Sequence, residues 1–158
     1  MLQGRPPLLA VGAHEVALLA FARMAEAGVS GAPVTTDAGE LIANLSVSDL
    51  RLFTLEHVGM LALPVAEFLA LAHRTSYVGY TAGASSFAAA PFFASRRPGA
   101  DDVRLHAIRR GATLREVLAK LVGAHVHRLY VVDSDAPPMR AEHVVTLTDV
   151  LRAVAGVF

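Results

Sequence analysis

Apolar residues recur along this chain with two periods, and the pattern occurs twice. In TLREVLAKLV, Leu114, Val117, Leu118, Leu121 and Val122 fall at helical spacing behind Thr113, a good N-cap. In EVALLAFARMAEAG, Leu18, Phe21, Ala22 and Ala25 do the same, and Gly28 is placed as a C-terminal stop. Two short apolar runs follow each helix: 32–35 and 41–45 in the first copy, 129–132 and 143–147 in the second. Polar turns at 37–40 and 133–140 separate them, and the second copy is three residues longer, all within its turn. Each copy closes on Ser/Thr-x-Ser/Thr-Asp, as Ser46-Val47-Ser48-Asp49 and Thr146-Leu147-Thr148-Asp149. From Leu147 onward a second helix is predicted, with Leu147, Val150, Leu151 and Val154 on one face. The predicted unit is helix, strand, turn, strand, helix. One unit is too small to bury its own sheet, whereas two packed together can.

This divides the chain into a first unit over 1–54, a linker helix and insertion over 55–102, and a second unit over 103–158. Residues 81–102 are rich in Ala, Ser, Gly and Pro and read as a long loop whose Phe87, Phe92 and Phe93 are candidates for surface packing. With 54% hydrophobic and 18% charged residues, the composition suits a well-buried core. Fourteen basic residues balance fourteen acidic ones, so net charge gives no support for non-specific binding to nucleic acid or anionic membrane. No cysteine is present, which excludes disulfides, thiolate metal sites and a cysteine nucleophile. The apolar run 59–72 is broken by Pro64 and Glu67 and falls short of the roughly 18 residues of a spanning helix. No secretory pattern opens the chain. The expectation is a soluble intracellular protein, cytoplasmic by default.

The segments VHRLYVVD and VVTLTDVLRAV, with VSGAPV and SVSD in the first copy, resemble the CBS domain, which occurs in tandem as a CBS pair or Bateman module. Within that family the likeness is to the C-terminal half of the gamma subunit of AMP-activated protein kinase and to stand-alone plant and algal CBS pairs. LALPVAEFLALAHRTSY is similar to the linker of that half, and the insertion 81–102 departs from it. The resemblance implies an α/β fold of two units in pseudo-two-fold arrangement. It implies an adenosine nucleotide (AMP, ADP or ATP) in the cleft between them, no prosthetic group, and a regulatory rather than enzymatic role. Asp149 and Asp49 are then the carboxylates for a ribose diol, with Thr146, Thr148 and Ser46 as hydroxyl donors and Thr113 lining the cleft. His127, Arg128, His73 and Arg74 are the phosphate ligands, and Ser30 stands where the second copy has His127. An ionised carboxylate accepts both hydroxyls of a diol, and a guanidinium forks onto phosphate. The implied partners are a second copy of the chain and a regulated enzyme such as a protein kinase.

Plainer readings stand beside these. Thr146 to Asp149 also has the form of a helix capping box. The first copy has Ser30 and Gly31 where the second has His127 and Arg128, which predicts one functional site rather than two. His125 and His127 lie two apart and share a face if the strand extends to them, yet no third metal ligand has suitable spacing. His14 and His143 are expected at element ends in contact with solvent. No nucleophile, base and orienter stand together, and no glycine-rich phosphate loop is present. The alternative function is a ligand-free scaffold or dimerisation module.

Overall fold

A computed structural model describes residues 7–52, 54–73, 106–134 and 138–156. It contains two α/β units with the same topology. The first has β1 (Val11–Gly12), α1 (Ala17–Glu26), β2 (Gly31–Thr35) and β3 (Leu41–Ser46). Two 3-10 helices, Val47–Leu52 and Leu55–Ala62, lead to α2 (Val65–His73). The second unit has β4 (Ala107–Arg109), α3 (Leu114–Gly123), β5 (Arg128–Val132), β6 (Ala141–Thr146) and α4 (Leu147–Ala155). Each sheet has three strands, ordered β1-β2-β3 and β4-β5-β6. The first pair of each is parallel and the second antiparallel. Even the irregularity recurs: the register shifts at Val34/Thr35 in one hairpin and at Val131/Val132 in the other.

Three features differ from the sequence expectation. The edge strands β1 and β4 are two and three residues long, too short to show a period. They are recruited by parallel pairing, Val11 on Val34 and Ile108 on Val131. The segment after Ser46 is a 3-10 helix rather than an α-helix. Ser46 Oγ accepts from Ser48 N and contacts Ser48 Oγ at 2.8 Å, so it does not cap an α-helical first turn as Thr146 does. The buried face of α1 is Ala17, Ala20, Phe21 and Met24, while Leu18 is 55% exposed. ALLAFARMAE is apolar nearly all round, so its periodicity does not fix the phase. The small alanines let α1 approach closely, and the Phe21 ring meets Phe68 of α2 edge-on at 5.5 Å.

Thr113 caps α3 as expected, accepting from Glu116 N while the Glu116 carboxylate accepts from Thr113 N at 2.7 Å. This bond holds the Glu116 carboxyl below its ordinary range. Gly28 takes a left-handed conformation (φ 65°) just past α1, as a C-terminal stop requires. α2 packs into the first unit's core through Val65, Ala66, Phe68 and Leu69. Its leading segment also closes the start of α1, with Ala17 N–H donating to the Leu63 carbonyl at 2.9 Å.

The two units meet through a shared apolar cluster of Leu41, Ala107, Tyr130 and Val132, with Met139, Ala141 and Val144 against it. A backbone bond, Leu41 N–H to the Met139 carbonyl at 2.6 Å, joins the two hairpins. The Tyr130 hydroxyl, 1% exposed as a residue, donates to Asn44 Oδ1 across the same boundary. Among the described residues, no helix is long and apolar enough to cross a membrane.

Candidate functional site

Strand β3 ends at Ser46, the 3-10 helix that follows carries Ser48 and Asp49, and α2 returns to bring His73 beside Asp49. Asp49 is the buried charged residue of the core, 6% exposed. Its Oδ2 accepts from Ser46 N at 2.8 Å, and its Oδ1 contacts His73 Nε2 at 3.0 Å. That bond raises the His73 pKa above its ordinary value, against the opposing effect of partial burial. A carboxylate so placed costs stability unless bonded, and both of its oxygens are.

The second unit reaches into this neighbourhood through β5. Arg128 Nη2 donates to Ser30 Oγ at 2.9 Å. The guanidinium lies directly over Gly31, where a Cβ would overlap Nη1 and Cζ. The sequence repeat makes Gly31 and Arg128 equivalent positions. The two units therefore meet as unlike partners: one position is emptied so that the other can cross. Burial pushes the Tyr130 hydroxyl pKa up, with the Arg128 charge opposing and the Asp49 charge reinforcing that shift. Tyr130 thus feels a cation from its own strand and a carboxylate from the other unit.

The residues named in the sequence fall into two groups. Asp49, Ser46, His73, Ser30 and Arg128 gather at the first unit's sheet end. Asp149, Thr146 and Thr148 lie at the start of α4, where Thr146 and Asp149 form a reciprocal capping box: Asp149 Oδ2 accepts from Thr146 N at 2.9 Å and from Thr146 Oγ1 at 2.7 Å. The capping reading of Asp149 holds; ligand contact there is untouched by it. His127 is exposed just ahead of β5, and Thr113 is exposed at its cap. Arg74 lies outside the described residues, as do Phe87, Phe92 and Phe93.

His125 and His127 do not share a strand face, because β5 begins at Arg128 and His125 sits in a left-handed turn (φ 52°). Among the described residues, no group of three metal-ligating side chains gathers. His143, expected at an element end in solvent, is instead half-buried within β6, paired with Val131. Its place is fixed by the alternation of the strand. Two participants escaped the sequence reading, Tyr130 and Asn44. Tyr130 stood in an apolar run, and only the polarity of Asn44 inside LIANLS signalled a buried partner.

This architecture has clear relatives. Residues 100–156 match the family model of the CBS domain, and the first unit has the same strand order and pairing as the second. The fold is that of a CBS-domain protein from Agrobacterium tumefaciens: 12% identity, TM-score 0.63, 96% of this chain and 87% of that one covered. It is also that of CBSX2 in complex with AMP (18%, TM-score 0.62, 95% and 89%). A third is the CBS domain of a bacterial CNNM/CorC family Mg2+ transporter in complex with ATP (17%, TM-score 0.59, 97% and 84%). A search of curated protein sequences finds no match.

Proposed function

We propose that the chain is a regulatory module that binds an adenosine nucleotide between its two units and reports occupancy to a partner enzyme such as a protein kinase. One observation carries this reading: the Arg128 guanidinium of the second unit lies at Ser30 and Gly31 of the first, beside the sheet end that presents Asp49. A carboxylate for a diol and a cation for a phosphate then come from different units, so one ligand bridges both. AMP and ATP in the CBS structures named above support the ligand class. In this reading the ribose hydroxyls take Asp49 Oδ1 in exchange for His73, and His73, His127 and Arg128 turn to the phosphates. The Asp149 cleft, whose facing positions are Ser30 and Gly31, is the weaker of the two. A ligand bridging both units favours one relative orientation, and a partner responds only if it distinguishes the orientations.

Isothermal titration of AMP, ADP, ATP and S-adenosylmethionine into nucleotide-free protein tests this. Saturable heat that Asp49→Asn abolishes supports the site; unchanged binding in that variant refutes it.

A second reading, a scaffold that forms homodimers, draws on the exposed side chains of Leu147, Leu151 and Val154 on α4 and of Leu114 and Val122 on α3. That stripe suits a self-associating face. Light scattering on wild type and Leu151→Glu separates the cases: a dimer that the variant dissociates favours self-association, and a monomer in both removes it.

A further inference from the structure

Asp49 divides its two oxygens between different partners. Oδ2 accepts from Ser46 N at 2.8 Å, as Asp149 Oδ2 accepts from Thr146 N at 2.9 Å in the second unit. That oxygen belongs to the turn in both copies. Oδ1 is held instead by a side chain, His73 Nε2 at 3.0 Å. The two ends of this contact differ in exposure: the Asp49 side chain is 8% exposed and that of His73 41%. The carboxylate is therefore the fixed member. The imidazole, on the last residue of α2, is the one with a route into solvent. A buried carboxylate oxygen left bare is costly, so His73 leaves it only when another donor arrives. A ribose hydroxyl is such a donor.

We propose that His73 is a specificity-determining latch on Asp49: an unphosphorylated nucleoside has to expel it without compensation, whereas the phosphate of a nucleotide takes it over. The proposal rests on the nucleotide reading given above and adds how that site rejects nucleosides. Its signature is a proton. In the free protein the bond to Asp49 holds the His73 pKa above its ordinary value. A nucleoside that takes Oδ1 returns it toward about 6.5. Between those two values His73 gives up its proton on nucleoside binding, so nucleoside affinity rises with pH across that window. A phosphate dianion replaces the lost carboxylate and keeps the imidazolium charged, so nucleotide affinity stays level. Arg128 is charged at every pH, and its preference for phosphate is constant. The part that grows with acid is that of His73.

The surroundings allow this assignment. Of the elements packed on α2, β3 carries no titratable group, and the 3-10 helix carries Asp49 and an exposed Arg51. On α1, Arg23 is turned to Glu15 and Glu26 is exposed. From β5, Arg128 and Tyr130 act near Asp49, and burial pushes the Tyr130 hydroxyl up, out of the range in which His73 titrates.

The test is calorimetric titration of adenosine and AMP into the full chain, free of nucleotide, at pH 7 and pH 8.5. Each is run in two buffers of different ionisation enthalpy, which counts protons released. Both pH values lie above the second pKa of a phosphate ester, about 6, so the charge on AMP is nearly constant. Adenosine is expected to release protons at pH 7 and to bind about twofold or more tightly at pH 8.5. AMP releases none and binds equally at both. Gln keeps an N–H donor but takes no proton. In His73→Gln, adenosine therefore binds more tightly than to wild type at pH 7, with no proton release and no change with pH. Proton release that persists in His73→Gln belongs to another group and overturns the proposal. AMP binding that Asp49→Asn abolishes, with adenosine level across pH in wild type, leaves the nucleotide site standing and overturns the latch alone. Binding of neither ligand overturns both.

Discussion

The Tyr130 hydroxyl is a single atom group that joins the two units, so its removal weighs that joint. Tyr130→Phe keeps the ring and creates no cavity. It deletes the bond to Asn44 Oδ1. A net intramolecular hydrogen bond is worth about 0.5–1.5 kcal/mol, and an abandoned buried acceptor adds about 1–3 kcal/mol. Asn44 is half-buried, so water recovers part of the second contribution. The sum is about 1.5–2 kcal/mol, a fall in Tm of roughly 3–8 °C for a chain of this size. Urea denaturation measures it directly, as a lower midpoint at unchanged slope. The partner substitution is Asn44→Val, the residue type that Val144 places at the equivalent position of the other unit. A double-mutant cycle on the pair predicts a coupling of about 1 kcal/mol. Additive losses, or a Tyr130→Phe variant within about 0.3 kcal/mol of wild type, would refute the claim that this contact holds the units together.

Other expectations follow from the same geometry. Thr113→Val and Thr146→Val each remove a cap and lower stability by about 1 kcal/mol in urea titrations. His73 has a folded-state pKa above its unfolded value. Its contribution is therefore complete below about pH 6.5 and is lost as pH rises through the folded pKa. The stability gap between wild type and His73→Gln shrinks from pH 5.5 to pH 8.5 if this is right, and a gap that widens contradicts it. Gly31→Ala displaces the Arg128 side chain rather than the backbone, so it costs little stability but weakens nucleotide phosphate binding, read by titration with AMP.

The repeat was legible because each copy carries the same strand alternation and the same closing Asp, and the register of β2 with β3 matches that of β5 with β6. What escaped has physical causes. Two-residue β1 has no period to show, and α1 is apolar on too many sides to declare which face is buried. The site was half legible. Asp49 and Arg128 were candidates, but nothing in the sequence paired the one with the other. A long side chain starting at a strand end can cross to the neighbouring unit, and Gly31 leaves the room. The pairing of Tyr130 with Asn44 joins residues far apart in sequence and has no local signature.

The most direct test is thermal stability of wild type and Arg128→Ala with adenosine, AMP and ATP at saturating concentration. A ligand at 100 times its Kd adds about 2.7 kcal/mol, a shift of several degrees. Wild type should gain more from AMP or ATP than from adenosine, and Arg128→Ala should lose that difference while keeping the adenosine shift. No shift in nucleotide-free wild type, or an equal loss for adenosine and ATP in the variant, would contradict a cleft in which the second unit holds the phosphate.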